Sequence, residues 1–184
     1  MIAFKVRNPD DISAEKRYKE EHLPRLRGNV IPDLWRYFSS DFFHDGCINN
    51  IKIDPSRGRV IMEIECPNIE HVTPGGGDFI SMVFRCEFDR VFNLFVGYPI
   101  SELNGFSDRS DFKYRYAEIN GESEIIEKIR SKTGDEFFSI VIETSSTEEY
   151  IALIFGELRV EALEPGAFAL IRYNSEFKVP LALE

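Results

Sequence analysis

The sequence predicts an α+β protein with mainly antiparallel sheet, an N-terminal helical segment and one further helix near residues 122–131. Apolar residues recur at helix-like intervals before residue 43, and after it they alternate with polar residues, as in half-buried strands. The strands are joined by short connections, which cannot make the crossovers that parallel strands require. The 184 residues fit a single domain, with a helical segment at about 10–40, a β-rich segment at about 43–118 and a helix followed by strands at about 122–184.

The helical segment is preceded by a predicted short strand at residues 2–6. Ser13 has a side chain suited to an N-cap, which predicts a helix over about 14–23. This helix should end just before Pro24, because the residue that precedes a proline disfavours the helical conformation. Pro32 is expected to open a second, shorter helix, since proline is well accommodated in a first helical turn.

The β-rich segment is predicted to begin with a hairpin. Residues 47–53 and 59–66 flank a turn at 54–58 that contains proline and glycine. A further alternating strand over 80–88 follows an exposed loop predicted at 74–78. The inward positions are Val60, Met62, Ile64, Cys66, Ile80, Met82, Phe84, Cys86 and Phe88, and the outward positions include Glu63, Glu65, Ser81, Arg85 and Glu87.

The C-terminal part combines one amphipathic helix with several strands. Ile125, Ile126 and Ile129 have helical spacing, and Gly134 is suited to end that helix. The pattern leaves open whether the β-rich segments form one sheet or two. The elements predicted here are a helix at 122–131 and strands at 112–118, 136–143, 149–162 and 167–173.

The charge of the chain excludes one class of partner. The sequence has 32 acidic and 22 basic residues, a formal net charge of -10, and its basic residues are dispersed. Nucleic-acid phosphates would repel such a surface, so we expect no nucleic-acid partner, whereas a basic protein or a small molecule could bind it. No stretch reaches the ~18 apolar residues of a membrane helix and no leader is evident. We therefore expect a cytoplasmic protein that binds no membrane.

No cofactor or metal site is predicted from the spacing of the usual ligands. The three cysteines form no CxxC pair, and no two of the three histidines are spaced i,i+3 or i,i+4. The glycine run at 75–77 is not followed by the lysine and hydroxyl residue of a phosphate-binding loop. We also predict no catalytic residue. The residues considered were Cys47, Cys66, Cys86, His22, His44 and His71.

The block Phe43-His44-Asp45-Gly46 contains the best pair of titratable residues. A histidine beside a carboxylate could hold a metal or exchange a proton, so one hypothesis is a metal-dependent hydrolase centred on His44 and Asp45. His22 and either Asp108 or Asp111 would complete its ligand set. The other interpretation is structural: His44 packs at the start of the first strand, and Asp45-Gly46 makes a turn. This second interpretation is favoured, because the HD-type metal phosphohydrolases, which carry such a pair, are all-helical, whereas this chain turns to β-structure directly after it.

Trp35 is the other candidate binding residue, beside His44 and Asp45. With Arg36 and Tyr37 it could form an exposed recognition patch. Its spacing from Leu34 and Phe38 favours core packing instead.

The FHDG block, the spacing Ile48-x-x-Ile51-x-Ile53 and the alternating strand Val60–Cys66 together resemble a pattern of small uncharacterised bacterial proteins. Some of these are filed as immunity proteins of polymorphic toxin systems. The resemblance covers about 25 residues of the 184. It implies a small, β-rich, cytosolic protein that binds a partner, and it transfers no catalytic residue.

The leading hypothesis is therefore a non-catalytic protein-binding module, in its most specific form a toxin-neutralising protein with a basic effector as partner. The alternative is the metal-dependent hydrolase centred on His44 and Asp45. A third hypothesis is an accessory subunit whose aromatic surface is covered in a homodimer.

Overall fold

The computed structural model describes residues 7, 11–40, 42–73, 76–97, 113–121, 123–144, 150–163, 171–173 and 177–181. They form an α+β fold of three helices and two antiparallel sheets, which confirms the predicted fold class. The strand predicted at 2–6 lies outside the described residues. No described helix is long and apolar enough to cross a membrane.

The N-terminal helix is longer than predicted and contains its proline. It consists of α1 (Ile12–Arg17), a π-helical segment (Tyr18–His22) and α2 (Leu23–Leu26). The predicted end before Pro24 is wrong: the N–H of Leu23 donates to the carbonyl of Tyr18, five residues back, so a wider turn precedes the proline, which itself lacks an N–H donor. The predicted N-cap is also wrong by two residues.

Asp11, not Ser13, caps this helix. Its carboxylate accepts hydrogen bonds from the backbone N–H groups of Ser13 and Ala14. The second helix, α3 (Pro32–Phe38), begins at the predicted proline. The helix α4 (Glu124–Thr133) ends at Gly134 as predicted, and this residue has a left-handed conformation (φ 77°).

The predicted hairpin is confirmed and continues into a third strand. β1 (Cys47–Asp54) pairs with β2 (Arg59–Thr73), which pairs with β3 (Gly76–Asp89). The loop predicted at 74–78 is too long, because Gly76 to Asp78 already pair with β2. Alternation correctly identified the inward face: its described side chains from Val60 to Cys66 and from Met82 to Phe88 are buried.

The strand predicted over 149–162 is two strands in different sheets. β7 (Tyr150–Phe155) and β8 (Glu157–Ala162) are separated at Gly156. A Cβ atom at this glycine would lie 2.6 Å from Cζ of Arg90, so the chain changes sheets where a side chain passes close to the backbone. Because the sequences of β7 and β8 are both typical of strands, the sequence analysis predicted one continuous strand.

The remaining described strands complete the two sheets. They are β4 (Asn93–Gly97), β5 (Tyr114–Asn120), β6 (Phe138–Thr144), β9 (Ile171–Tyr173) and β10 (Phe177–Leu181). The larger sheet has the order β10-β9-β2-β3-β8, with β1 also paired to β2, and the smaller has the order β4-β7-β6-β5. The open question of one sheet or two is thereby settled as two. β4 was not predicted.

An aromatic core lies between the two sheets. The ring of Phe88 in β3 contacts that of Phe155 in β7 at a centroid distance of 4.9 Å, and Phe43 contacts both Phe84 and Tyr114. α3 contributes three more buried side chains to this cluster. α4 packs on the opposite face of the smaller sheet through a second cluster, so that sheet is buried on both faces. The members of the second cluster are Ile126, Ile129, Phe137 and Ile154.

The N-terminal helix is anchored to the outer edge of β5. The hydroxyl of Tyr18 accepts a hydrogen bond from the N–H of Ile119 (3.0 Å) and donates to the carbonyl of Ala117 (3.4 Å). Nε2 of His22 donates to the carbonyl of Ile119 (3.0 Å). The guanidinium of Arg7 donates to the same Ala117 carbonyl (2.7 Å). Side chains thus satisfy backbone groups that an edge strand would otherwise leave open.

Candidate functional site

The FHDG block is a tight turn that directly precedes β1 and is hydrogen-bonded to the first residue of β5. The N–H of Gly46 donates to the carbonyl of Phe43 (2.8 Å), so His44 and Asp45 are the two central residues of the turn. Asp45 has a positive φ of 64°, which aspartate tolerates better than most residues. Its N–H donates to the carbonyl of Tyr114, and the N–H of Tyr114 donates to the carbonyl of Gly46. The predicted turn at Asp45-Gly46 is therefore confirmed.

Only glycine fits at position 46. A Cβ atom there would lie 2.8 Å from Cγ2 of Ile64 and 2.9 Å from the carbonyl oxygen of Phe43. The block is consequently held by its backbone and by the buried ring of Phe43.

The side chains of His44 and Asp45 point away from this core. Nδ1 of His44 lies 3.2 Å from Oδ2 of Asp45, and the two side chains are 51% and 69% exposed. The expectation that His44 packs at the start of the strand is wrong, because the central residues of a β-turn project toward solvent while Phe43 fills the core. The pair is a surface feature that a partner or a ligand could reach.

The residues nominated to complete a metal site with this pair are not brought to it by the described structure. His22 bonds to β5 and its ring stacks on that of Tyr18 at 5.5 Å. Asp108 and Asp111 lie outside the described residues. Within the described ranges, no group of three or more His, Cys, Asp and Glu side chains could hold a metal ion.

Trp35 is partly buried and packs against the main core from α3. Its exposed part lines an open cleft of about 370 Å³. The sequence analysis treated core packing and surface exposure of Trp35 as alternatives. In the structure its ring does both. The residues that line the cleft are Pro32, Asp33, Trp35, Arg36, Ser39 and Ser40, and they include neither His44 nor Asp45.

The outer face of the larger sheet carries a set of carboxylates held by cross-strand hydrogen bonds. Glu65 accepts from the Ser81 hydroxyl (2.6 Å) and from the Asn49 amide (2.9 Å). Glu63 accepts from the Asn50 amide at 3.1 Å. These donors lie on the two strands that flank β2, so strand pairing fixes the rotamers of both glutamates.

Hydrogen bonding lowers the pKa of both carboxyl groups. The bond from Asn50 is the largest cause of the lowered pKa of Glu63, and the bond from Ser81 is the largest cause for Glu65. Partial burial opposes the shift in each case. Both side chains are therefore anionic near neutral pH.

The glutamates of this outer face differ in whether an arginine pairs with them. Glu63 pairs with Arg85 (3.1 Å), whose guanidinium also reaches Glu161 (3.6 Å). Arg159 pairs with Glu87 at 3.5 Å. Glu65 differs from these, since no cationic side chain of the described residues lies within ion-pair distance of it. Its charge is held in place by neutral donors and remains uncompensated.

Sequence reasoning assigned these glutamates to the outward face but gave them no function. Alternation identified the face, whereas the pairing register that sets Glu63 opposite both Asn50 and Arg85 is a property of the folded sheets. The hairpin register that follows from the turn at 54–58 predicts Asn50 opposite Glu63, but the sequence analysis did not derive it.

Two of the three cysteines are buried thiols of low reactivity. Cys66 and Cys86 are buried on the inward face, and burial raises the pKa of both thiols well above the usual range. Cys47 is partly exposed, and all three are free thiols.

Comparison with known proteins gives this chain no relatives: no protein-family model, no curated protein and no solved structure matches it.

Proposed function

We propose that this chain is a non-catalytic binding protein that takes a basic protein partner on the outer face of its larger sheet. The observation that supports this most directly is the fixed, uncompensated carboxylate of Glu65 on an open sheet surface. Every described outward side chain of β1, β2, β3 and β8 is at least partly exposed. No described element covers this face.

Binding at this face should lose little conformational entropy, because the fold already orders the side chains of Glu63 and Glu65. Side chains that are ordered before association lose less freedom when a partner arrives. The lowered pKa of Glu63 and of Glu65 keeps both charged at neutral pH. A lysine or arginine of the partner would find in Glu65 an acceptor with no competing cation among the described residues.

The most specific form of the proposal is a toxin-neutralising, immunity-type protein. Its support is the resemblance carried by the FHDG block and the net charge of -10. An acidic protein associates faster with a basic effector, and the rate falls as salt screens the attraction.

The second candidate is a metal-dependent hydrolase centred on His44 and Asp45. The observation that favours it is the contact of 3.2 Å between their side chains on an accessible surface. Elemental analysis of the purified protein tests it. Stoichiometric metal that is lost in His44→Ala would support this candidate, and metal-free protein would remove it.

The binding proposal is tested with the product of a neighbouring gene that encodes a secreted toxin. Binding is measured by titration calorimetry at low and high ionic strength. Glu65→Gln is expected to weaken binding about tenfold, as for the loss of a charged hydrogen bond. Glu124→Gln, which removes the same charge from the exposed surface of α4, is the matched control and should bind as the parent protein does.

Two results would overturn the proposal. One is binding to such a toxin that Glu65→Gln leaves unchanged. The other is the absence of any toxin gene beside this one together with no measurable association with basic effector domains.

A further inference from the structure

Most edges of the described strands are protected against pairing with another chain. β5 is capped by the side chains of Tyr18, His22 and Arg7. At β8, the N–H of Val160 donates to the carboxylate of Asp33 in α3 at 2.7 Å. Such caps remove the free backbone groups that make an edge strand a template.

Two further edges of the larger sheet are protected by their sequences. β1 has a bulge between Ile48 and Asn50 and an exposed Lys52. β10 contains Lys178 and Pro180. Bulges, lysines and prolines are the usual means by which edge strands avoid association.

β4, at the edge of the smaller sheet, has none of these features. Residues 91–97 contain no ionisable side chain, no proline and no bulge. Phe92 and Phe95 are 62% and 42% exposed, although large apolar side chains are generally buried. The ring of Phe95 stacks on that of Tyr150 in the neighbouring strand, with 5.1 Å between centroids. The described residues therefore present one uncharged, aromatic edge.

We propose that β4 pairs in antiparallel orientation with β4 of a second copy of this chain. The smaller sheets of the two copies would then join into one continuous sheet of eight strands. This proposal concerns a different surface from the outer face of the larger sheet and does not depend on the proposed function.

Among the possible contacts between two copies, charge favours one at this edge. Two molecules with a net charge of -10 repel each other, and close contact is least unfavourable where neither contributes a charge. Residues 91–97 are such a segment.

The strand is also compatible with two-fold symmetry. Asn93–Gly97 has Phe95 at its centre, so antiparallel pairing places this residue opposite its own counterpart. Aromatic pairs directly across two strands stabilise a sheet.

The interface would be small, because each copy contributes a five-residue strand and two exposed rings. Interfaces at the low end of the size range are weak, so we expect a dissociation constant of about 10 µM to 1 mM. Sedimentation velocity over about 1 µM to 1 mM covers this range. The parent protein should pass from a 21.3 kDa monomer to a dimer.

Substitutions on the edge identify the surface. Phe95→Lys should raise the dissociation constant by more than about tenfold, because it places two like charges opposite each other. Phe92→Lys should act in the same direction, and it lies just outside the strand, so it leaves β4 intact. Ile125→Lys is the control, since Ile125 has the same exposed fraction of 42% on α4. Circular dichroism verifies that each variant is folded.

The effect of salt separates this proposal from the proposed function. Added salt screens the repulsion between two acidic copies and should strengthen the dimer, whereas it should weaken binding of a basic partner to the outer face.

A crosslinking experiment locates the two-fold axis. Phe95→Cys in a Cys47→Ser background should form an intermolecular disulfide on mild oxidation, because residues directly opposite in antiparallel strands have suitable Cα separations. Ile125→Cys in the same background should not. A monomer at every concentration, a dimer that Phe95→Lys and Phe92→Lys leave intact, or equal crosslinking at both positions would overturn the proposal.

Discussion

Phe43 and His44 are adjacent in the sequence, yet their removal should affect stability very differently. Phe43 is fully buried, and the substitution of a buried phenylalanine by alanine costs about 3–5 kcal/mol. Its ring also takes part in aromatic pairs, each of which contributes about 0.5–1.5 kcal/mol beyond burial. We therefore expect Phe43→Ala to lower the free energy of unfolding by about 5 kcal/mol. The rings paired with it are Tyr37, Phe38, Phe42, Phe84 and Tyr114.

His44→Ala should change the free energy of unfolding by no more than about 0.5 kcal/mol, the range of ordinary surface substitutions. The His44 side chain is 51% exposed, and its contact with the Asp45 carboxylate is equally accessible to water. Exposed pairs of this kind contribute little, because water screens them.

Urea denaturation followed by the fluorescence of Trp35, the only tryptophan, measures both effects. If Phe43→Ala does not fold, Phe43→Leu provides a milder version, with an expected loss of about 1–1.5 kcal/mol. The reasoning is refuted if His44→Ala costs more than about 2 kcal/mol or if Phe43→Ala costs less than about 1 kcal/mol. The first result would mean that the histidine contributes to holding the turn, and the second would mean that the aromatic ring does not hold it.

Four further substitutions test other parts of the structure. The folded-state pKa of Glu65 lies below its unfolded value, so its stabilisation is present above an ordinary pKa of 4.5 and is lost as pH falls through the folded pKa. Unfolding free energies measured between about pH 6 and 3 should therefore decrease less steeply in Glu65→Gln, and an unchanged slope would contradict this. Gly46→Ala should cost about 2–3 kcal/mol, because it meets a backbone carbonyl and a packed methyl group, whereas Gly156→Ala meets only the movable end of Arg90 and should cost about 1 kcal/mol or less. Equal costs in urea denaturation would be inconsistent with the contacts described. Tyr18→Phe leaves a buried N–H of β5 without its acceptor and should cost about 1–3 kcal/mol, with faster amide exchange at Ile119. Unchanged exchange there would show that the hydroxyl does not cap the strand.

Local periodicity was sufficient to predict the fold class and most of the hairpin region. The alternation from Val60 to Cys66 depends only on which side of a strand faces the core, and a strand with one buried face repeats every two residues. The end of α4 at Gly134 was predictable for a similar reason, since the left-handed conformation of that residue is a local requirement.

The errors occurred where contacts between distant segments decided the outcome. Pro24 continues a helix because a π-helical turn precedes it and the whole helix is held against β5. The segment 149–162 was merged into one strand because both halves have strand-like sequences, whereas the change of sheet at Gly156 is a property of the folded chain. β4 was missed because its apolar run lacks alternation.

The candidate site depended even more on tertiary structure. The sequence by itself determined an acidic α+β protein and identified Trp35, His44, Asp45 and the outward glutamates as exposed or chemically distinct positions. Only the folded sheets decided that His44 projects to solvent while Phe43 is buried, and that Glu65 receives two neutral donors and no described cation. The physical reason is that periodicity reports the polarity of a face, whereas the neighbours of a side chain on that face are set by the register between strands.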